Sequence, residues 1–429
     1  MSSNDGPLGD IVVLDLTRAL AGPHAAMMLG DLGARVIKVE SPGHGDDTRG
    51  WGPPFVEPPV TADTADPDNI HPEVGPISTY FLSCNRNKES IVLDLKSADG
   101  KAALTELIRR SDVLMENFRP GVLDRLGFPL DVLTELNSRL VILSISGFGH
   151  DGPEGGRAGY DQIAQGEAGL MSMTGPDPET PTKVGVPIAD LLSGMYGAYG
   201  TVAALLERER TGKGGLVRTS LLAGVVGVHA FQGTRWTVAK EIPKAEGPHH
   251  PSICPYGLFH SADGVVQISV GSEGLWRKFA PAFGLPVDGA GFAGNADRVR
   301  NGPAVRAAVE EAFSSYSTPD LLARLSEIGV PSGEVKNLQQ VYEWDQTKSQ
   351  GLLIDVEHPA LGPIQLPGPP LRFFDGAGAE WHREHQSPPL LGQHTDAVLA
   401  WLQNGSAADG AGTDGNTGSK GDSDDGTAD

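Results

Sequence analysis

Short apolar runs alternate with amphipathic segments along the first 150 residues. Two segments repeat apolar side chains every three or four residues, as helices do, at residues 24–32 and 98–110. Continuous apolar runs, typical of strands covered on both faces, occur at residues 11–16, 36–40, 90–95, 113–116 and 140–146. Strands that alternate with helices predict an α/β large domain with a doubly wound, Rossmann-like and mostly parallel sheet.

A longer helical pattern fills residues 184–213, VGVPIADLLSGMYGAYGTVAALLERERTGK. Small residues such as Gly194 and Gly197 recur at helical spacing, and Gly212 marks the end of the helix. Asp190 lies near its start, where two interpretations are open. Either its carboxylate caps the helix by accepting free backbone N–H groups, or it is a nucleophile that the helix dipole keeps ionised.

From about residue 248 the pattern changes to a hairpin followed by helices. Strands at 257–260 and 265–270 flank a turn, helical patterns follow at 273–283, 298–316 and 319–328, and a β-rich piece at 354–374 precedes a last helix at 395–402. These patterns predict a smaller α+β domain. We expect the N-terminal part of the large domain to span 1–225 and the small domain to span 226–340, followed by a further segment at 341–403. Residues 41–78, rich in Gly, Pro and Asp, predict a long loop.

The composition is that of an ordinary globular chain, with 39% hydrophobic and 21% charged residues. Two cysteines, Cys84 and Cys254, argue against a disulfide framework and for a reducing compartment. No apolar run approaches the roughly 20 residues of a membrane span, and the first residues lack the pattern of a signal peptide. We expect a cytoplasmic protein without a membrane partner.

The formal net charge of −22 argues against nucleic acid as a partner. Six Asp and one Lys after Asn404 give the end of the chain a net charge of −5 and leave −17 for the body. Because this acidic tail also lacks aromatic and branched apolar residues, residues 404–429 are predicted to be disordered. An anionic ligand would need a local basic pocket to overcome the overall negative field.

Six segments, in their order along the chain, resemble the family III CoA-transferases, the formyl-CoA transferase and carnitine CoA-transferase family. The resemblance covers nearly all of residues 7–402, in the segments LDLTRALAGPHAAMMLGDLGARVIKVE, GDDTRGWGPPF, YFLSCNRNKESIVLDLK, DVLMENFRPGVLDRLG, IADLLSGMYG and PPLLGQHT. The segments GDDTRGWGPPF, AGYD and HPSICPY most resemble the branch that moves CoA from succinyl-CoA to another dicarboxylic acid, of the glutarate and hydroxymethylglutarate type.

The resemblance implies that Asp190, in a motif of the form Gly/Ala-Asp-x-x-x-Gly, is the nucleophile. It attacks an acyl-CoA thioester, giving a mixed anhydride and free CoA thiolate. The thiolate attacks the aspartyl carbonyl, which releases the donor acid and leaves an aspartyl-CoA thioester. The acceptor acid attacks that thioester, and the steps run in reverse. With an ordinary pKa of about 3.9, Asp190 is expected to be ionised near pH 7 without a general base.

Coenzyme A is a substrate in this chemistry, and its phosphates need a basic pocket in an acidic protein. By their positions in the family's motifs, the residues expected to contact CoA, within the large CoA-binding domain, are Arg18, Ala19, Ala21, Leu93, Lys96, Asn117, Phe118, Arg125 and Leu126. Taken singly, Arg119 and Arg125 are equally compatible with solvated surface charges.

The residues expected to line the acyl pocket are Trp51, Tyr80, Tyr160, His250 and Ser252. In isolation, Trp51 and Tyr80 are also compatible with plain core packing. At the position of Tyr160 the racemase branch of the family carries a proton-transferring histidine, directly before an aspartate. A tyrosine, with a pKa of about 10, is a poor base at neutral pH. This favours CoA transfer over the alternative function, an acyl-CoA racemase or epimerase of the same fold.

The chain departs from the formyl-CoA transferase pattern, because the run of glycines that moves over the nucleophile there is missing here. Residues 249–254 take its place, which is why His250 and Ser252 are candidates. Two adjacent histidines suggest a metal, but no second cluster at ligand spacing supports one, so none is expected. Glycines at 147–156 are candidate sources of oxyanion donors, and Arg49 and Arg86 are candidate clamps for the acceptor acid.

Members of the resembling family form interlocked homodimers, with each active site between the large domain of one chain and the small domain of the other. The resemblance implies the same assembly here, with residues 341–403 as a linker and return segment to the large domain. A non-catalytic acyl-CoA-binding or scaffold protein is disfavoured by the intact Asp190 motif and glycine loops. A dinucleotide-dependent dehydrogenase is disfavoured because no Gly-x-Gly-x-x-Gly follows the first strand.

Overall fold

The computed structural model describes residues 6–59 and 75–409. Its strands are β1 (Val12–Asp15), β2 (Arg35–Glu40), β3 (Phe55–Val56), β4 (Ile77–Ser78), β5 (Lys88–Val92), β6 (Val113–Glu116), β7 (Val141–Ser146), β8 (Gly215–Ser220), β9 (Tyr256–His260), β10 (Val265–Ser269), β11 (Ser332–Glu334), β12 (Leu353–His358) and β13 (Gly362–Pro367). Its helices are α1 (Ala21–Asp31), α2 (Thr79–Ser83), α3 (Ala98–Arg110), α4 (Val122–Leu126), α5 (Leu130–Leu136), α6 (Asp161–Glu167), α7 (Ile188–Thr211), α8 (Leu221–Gly227), α9 (Ala230–Thr237), α10 (Glu273–Ala282), α11 (Asn295–Arg300), α12 (Gly302–Phe313), α13 (Thr318–Glu327), α14 (Leu338–Glu343), α15 (Asp345–Ser349) and α16 (Thr395–Asp409). None of the described helices has the length and apolarity to cross a bilayer.

A six-stranded parallel sheet forms the centre of the large domain, in the order β5-β2-β1-β6-β7-β8. From β1 the chain builds toward β5 on one side and toward β8 on the other, so the strand order reverses between β1 and β6. In open parallel sheets, ligands bind at the carboxyl ends of the strands next to such a reversal. The mixed α/β fold with a parallel central sheet is therefore confirmed.

Helices bury apolar side chains against both faces of this sheet. On one face, α1 and α7 pack against β7 through a cluster that includes Leu29, Leu143 and Leu205. On the other face, α3 and α16 contribute Leu107 and Val398 to a second cluster. Because α16 lies near the end of the chain, the closing segment packs against the parallel sheet.

One position in α7 requires glycine because α1 approaches so closely. A Cβ atom on Gly194 would lie 2.6 Å from the backbone carbonyl oxygen of Ala21. The helix ends where the sequence predicted, at Gly212, which adopts a left-handed conformation with φ of 72°. The small-residue pattern thus brings the start of α1 next to the first turns of α7.

Smaller apolar clusters form outside the parallel sheet. The antiparallel strands β9, β10 and β11 and the helices α10, α12 and α13 enclose one of them, which contains Trp276, Phe279 and Phe313. The hairpin β12–β13 contributes Val356 and Leu366 to another. The hairpin β9–β10 and the helices that follow it agree with the predicted α+β elements.

Several predicted elements differ in their boundaries, among them three helical patterns. The helical pattern at 298–316 is divided between α11 and α12, because Gly302 and Pro303 start a new helix. Helix α1 begins at residue 21 and not 24, since Pro23 is tolerated in a first turn. Helix α16 continues to Asp409 and so extends past residue 402.

The predicted long loop at 41–78 has some regular structure. A 3₁₀ turn at Asp47–Gly50 follows β2, and β3 pairs with β4 in antiparallel fashion. Residues 60–74 of this loop lie outside the described residues, as do residues 410–429 of the predicted disordered tail.

Candidate active site

The first turn of α7 is capped by Asp161 and not by Asp190. Pro187 occupies the N-cap position, so Asp190 is the third residue of the helix. Oδ1 of Asp161 accepts the N–H of Ala189 at 2.8 Å and lies 3.4 Å from the amide nitrogen of Asp190. The capping interpretation of Asp190 is therefore wrong. Within the described residues, no hydrogen bond or ion pair engages the Asp190 carboxylate, which leaves it available for chemistry.

A buried glutamine holds Asp161 in place. Nε2 of Gln165, one helical turn further along α6, donates to Oδ2 of Asp161 at 2.7 Å. Oε1 of the same amide accepts the N–H of Val184 at 2.9 Å, which ties the segment leading into α7 to α6. Asp161 and Gln165 were not among the predicted site residues, although their spacing of four residues places them on one face of a helix.

Burial and then the negative charge of Asp161 raise the pKa of Asp190 from 3.8 to about 7. The expectation of an ordinary, fully ionised aspartate is therefore wrong. Asp190 therefore titrates close to neutral pH and not in the acid range of an exposed aspartate. The positive end of the α7 dipole favours the charged form, so the site holds a carboxylate that ionises near neutrality and is poorly solvated.

Tyr80 lies close enough to this carboxylate to feel its charge, and Trp51 packs against Tyr80. Their rings meet edge to face with centroids 5.2 Å apart. Burial and then the charge of Asp190 raise the pKa of Tyr80 to about 12, so its hydroxyl remains protonated. Tyr80 also packs with Leu191, the residue after Asp190, against a small cluster that contains Leu20. The structure thus brings together Asp190 and two of the predicted pocket residues.

The turn after β1 meets the turn after β6 at the reversal of the sheet. The N–H of Arg18 donates to Oδ1 of Asn117 at 2.9 Å, and Nδ2 of Asn117 donates back to the carbonyl oxygen of Arg18 at 2.7 Å. The Arg18 guanidinium lies 5.9 Å from the centroid of the Phe118 ring. Ala19 has a left-handed backbone, with φ of 64°. Four residues predicted to contact CoA therefore form one continuous surface.

Exposed cations follow the carboxyl ends of β1, β5 and β6. The side chains of Arg18, Lys96, Arg119 and Arg125 are exposed, and none of them has an ion-pair partner within the described residues. In a chain with a net charge of −22, unpaired cations near one edge of the sheet are unusual. They supply the local positive charge that a phosphate-bearing ligand requires.

Three other residues predicted to contact CoA pack in the core through their side chains. Ala21 and Leu93 are buried in the clusters on opposite faces of the sheet, and Leu126 packs partly against the second of these. Any contact that Ala21 or Leu93 makes with a ligand therefore comes from the backbone.

His250 and Ser252 belong to a separate segment before β9. The His250 ring stacks between Phe231 and Tyr256, at centroid distances of 5.7 and 5.1 Å. Its Nδ1 accepts the N–H of Ser252 at 3.0 Å. Within the described part of this one chain, no hydrogen bond, ion pair or ring contact joins this segment to Asp190.

Tyr160 directly precedes Asp161, and its side chain is 70% exposed. It therefore lies beside the residue that caps α7 without being part of the packed pocket. Among the described residues, no group of three or more His, Cys, Asp or Glu side chains is arranged to hold a metal ion.

The two arginines considered as acceptor clamps have structural partners. Arg49 donates to both carboxylate oxygens of Glu40 at 2.6 and 2.7 Å and stacks on Phe81 at 3.7 Å. Arg86 pairs with both carboxylate oxygens of Asp31, at 2.8 and 2.5 Å. Because both guanidinium groups are engaged in ion pairs, neither is available to clamp a substrate.

A comparison with known protein families gives a match over most of the chain. The family described as CoA-transferase family III matches residues 8–395. The chain belongs to CoA-transferase family III. The family predicted from the sequence motifs is thereby confirmed, and the protein is a CoA-transferase.

Relatives of this CoA-transferase cover almost the whole chain. It is 38% identical over 400 residues to the succinyl-CoA:glutarate CoA-transferase of Homo sapiens. The aligned region covers 92% of this chain and 86% of that protein. It is 36% identical to the succinate–glutarate CoA-transferase of Agrobacterium fabrum, which covers 94% of this chain and 97% of that one. Among solved structures, a CAIB/BAIF family protein from Brucella suis has a TM-score of 0.79 and 36% identity, covering 92% of this chain and 99% of that one.

Proposed function

We propose that this CoA-transferase moves CoA from succinyl-CoA to a second dicarboxylic acid, with glutarate as the first acceptor to test. The observation that carries the chemistry is the Asp190 carboxylate, which has no hydrogen-bond partner among the described residues and lies at the amino end of α7. The donor and acceptor follow from the names of the relatives in Homo sapiens and Agrobacterium fabrum.

Asp190 acts as the nucleophile in this proposal. Its carboxylate oxygen attacks the succinyl thioester carbonyl, the C–S bond breaks, and a mixed anhydride and CoA thiolate form. The thiolate then attacks the aspartyl carbonyl, so succinate leaves and Asp190 carries CoA as a thioester. The acceptor carboxylate attacks this thioester, and the thiolate returns to the acceptor's acyl carbonyl. The raised pKa of Asp190 fits this role, because a poorly solvated carboxylate is a better nucleophile.

CoA binds at the reversal of the sheet. The turn at Arg18 and Ala19 and the turn at Asn117 and Phe118 form its floor, and Arg18, Lys96 and Arg125 bind its phosphates. A cation without an intramolecular partner binds a phosphate at a lower free-energy cost than a cation that must first leave a carboxylate. Trp51 and Tyr80 then face the acyl group next to Asp190.

The active enzyme is an interlocked homodimer in this proposal, with His250 and Ser252 supplied to Asp190 by the partner chain. Apolar side chains remain uncovered along α7, where Tyr199 is 75% and Leu206 is 74% exposed. They continue into an apolar cavity of about 930 Å³ between α7 and residues 369–373. The domain boundaries in this proposal are those predicted from the sequence, at residues 225, 340 and 403. The proposed location is the cytoplasm, where the free thiols of Cys84 and Cys254 remain reduced.

A transfer assay tests the function. Purified protein is mixed with succinyl-CoA and glutarate, and formation of glutaryl-CoA is followed by liquid chromatography and mass spectrometry, with other dicarboxylic and monocarboxylic acids in parallel. Transfer to dicarboxylic acids in wild type and its loss in Asp190→Ala supports the proposal. If no acid accepts CoA, while deuterium from solvent enters the α-carbon of a chiral acyl-CoA, the alternative of a racemase or epimerase replaces it.

A further inference from the structure

A buried ion pair lies beneath the turn that carries Arg18 and Ala19. Lys38 of β2 and Asp46 of the following loop both have fully enclosed side chains, with 2.8 Å between Nζ and Oδ2. Lys38 also donates to the carbonyl oxygen of Thr17 at 2.8 Å. Neither side chain has a part in the chemical steps proposed above, although both are hydrogen-bonded to the backbone of the turn that follows β1.

The Asp46 carboxylate joins two turns that are far apart in sequence. Its Oδ1 accepts the N–H of Ala19 at 3.2 Å on one side. On the other side the same oxygen accepts the N–H and the hydroxyl of Thr48, at 2.9 and 2.8 Å. Thr48 belongs to the 3₁₀ turn that leads directly into Trp51. One carboxylate therefore connects the turn at Ala19 with the ring that packs on Tyr80.

Ala19 needs such an anchor, because its left-handed backbone is costly for a residue with a Cβ atom. The φ of 64° costs about 1–2 kcal/mol relative to the right-handed region. Such conformations persist where surrounding contacts fix them, and they cluster at functional sites. The hydrogen bonds from Arg18 to Asn117 and from Ala19 to Asp46 fix the turn from two sides.

Stability alone does not account for a charged pair at this place. Replacing a buried ion pair by apolar residues of similar size is often neutral or stabilising. Burial disfavours both charges, yet the attraction of Lys38 holds the pKa of Asp46 below its ordinary value, and Asp15, Asp46 and Glu40 together raise the pKa of Lys38. Both groups thus remain charged, and a charged carboxylate is the stronger acceptor for the three donors that define the two turns.

We infer that Asp46 is a positioning residue that fixes the CoA-binding turn relative to the acyl pocket, through Ala19 on one side and Trp51 on the other, with Lys38 holding its carboxylate in place. This inference rests on the proposed function, which assigns the Ala19 turn to CoA and Trp51 to the acyl group. Lys38 in the segment VIKVE and Asp46 in the segment GDDTRGW thereby gain a role, which neither has in the chemical steps.

The test is the affinity of the full-length protein for CoA, measured by isothermal titration calorimetry. Asp46→Asn is expected to weaken CoA binding about ten-fold, equivalent to 1.4 kcal/mol. The amide oxygen is a weaker acceptor than a carboxylate oxygen, and it turns toward the ammonium group of Lys38. The matched control is Asp112→Asn. The Asp112 carboxylate likewise accepts a backbone N–H, that of Val12 at 2.8 Å, and pairs with a cation, Arg208 at 2.8 Å. Asp112 directly precedes β6, however, and so lies at the opposite edge of the sheet from the proposed CoA site. The control is expected to bind CoA within about two-fold of wild type.

A milder variant covers the case in which Asp46→Asn does not fold. Thr48→Val removes one donor to Oδ1 of Asp46 and nearly preserves shape, and it is expected to weaken CoA binding about two- to three-fold. Thermal unfolding is measured for every variant. A purely structural role would lower the midpoint in Asp46→Asn, Thr48→Val and Asp112→Asn alike and leave their CoA affinities equal, which would overturn the inference. If wild type itself does not bind CoA, the proposed function fails as well, whereas equal affinities in wild type and Asp46→Asn leave the proposed function standing and reject the inference alone.

Discussion

Oδ1 of Asp161 lies 2.8 Å from the amide nitrogen of Ala189 and 3.4 Å from that of Asp190, so one carboxylate caps the helix that carries another. This relationship has two consequences. Because Asp161 satisfies the free N–H groups of α7, the Asp190 side chain is not needed for capping. Because the two groups have the same charge, Asp161 also makes ionisation of Asp190 more costly.

Asp161→Asn is expected to let Asp190 ionise at lower pH. The variant keeps an acceptor oxygen for the helix and removes the neighbouring charge. In wild type, the pKa of about 7 means that nucleophilic attack by Asp190 speeds up as pH rises through 7. In the variant this rise moves toward acid, which is measured as the pH dependence of covalent adduct formation in a single turnover. Glu167→Gln is the control on the same helix, because among the described residues that exposed carboxylate pairs with Arg157 alone, on the surface. An unchanged profile in Asp161→Asn, or a shift toward alkaline pH, contradicts this role.

Asp190→Asn is expected to stabilise the protein at alkaline pH while removing its activity. Since folding raises the pKa from 3.8 to about 7, the stabilisation from the protonated carboxyl is complete below 3.8 and is lost as pH rises through 7. Above that pH the buried charge is unfavourable, and asparagine avoids it. We expect a gain of about 2 kcal/mol in the free energy of unfolding near pH 8, and a much smaller one near pH 4. Urea unfolding at both values tests this, and equal gains at the two values would show that the raised pKa is not the cause.

Arg18→Gln is expected to weaken recognition of CoA more than it slows the chemical steps. Loss of one charged contact to a phosphate raises KM for succinyl-CoA about ten-fold, or 1.4 kcal/mol. The increase of KM with ionic strength becomes shallower, and kcat changes little. Steady-state kinetics at low and high salt measure both effects. Arg210→Gln, at the far end of α7 where Arg210 pairs with Glu207, leaves KM unchanged; a similar rise in both variants would point to net charge and not to a contact at Arg18.

Gly194→Ala tests the close contact between α1 and α7. An alanine improves helix propensity by about 1 kcal/mol, but its Cβ would lie 2.6 Å from the carbonyl oxygen of Ala21. Overpacking of this kind costs about 1–3 kcal/mol, so the expected result is a net loss of stability together with a loss of activity as the first turns of α7 move. Gly215→Ala, whose Cβ would have no neighbour within 4 Å, is the control. A Gly194→Ala variant as stable and active as wild type would mean that this contact does not position Asp190.

The sequence predicts the parallel sheet well, because strands buried on both faces leave continuous apolar runs such as that of β7, Val141–Ser146. It predicts α7 equally well, since the small residues that approach α1 recur at helical spacing. The residues near the nucleophile were accessible through motifs of a known family. Trp51 contacts Tyr80, and Arg18 contacts Asn117, so each contact joins two of those motifs.

The tuning of the site was not accessible from the sequence, because it depends on distances between segments. Asp161 affects Asp190 only because α6 packs against the start of α7, and no local sequence pattern at residue 161 predicts that packing. Likewise, Arg49 was a candidate substrate clamp until the structure placed Glu40 beside it. Which charged groups are paired, and hence which are free to bind a ligand, is a property of the packed chain.

The most direct test of the account is the intact mass of the protein after a single turnover with succinyl-CoA and no acceptor acid, with and without hydroxylamine. The account predicts a covalent CoA adduct on wild type, converted by hydroxylamine to a hydroxamate that peptide mapping locates at Asp190, and neither product on Asp190→Ala. A wild-type protein that stays unmodified with every acyl-CoA tested, or an adduct that survives Asp190→Ala, would contradict the assignment of Asp190 as the nucleophile.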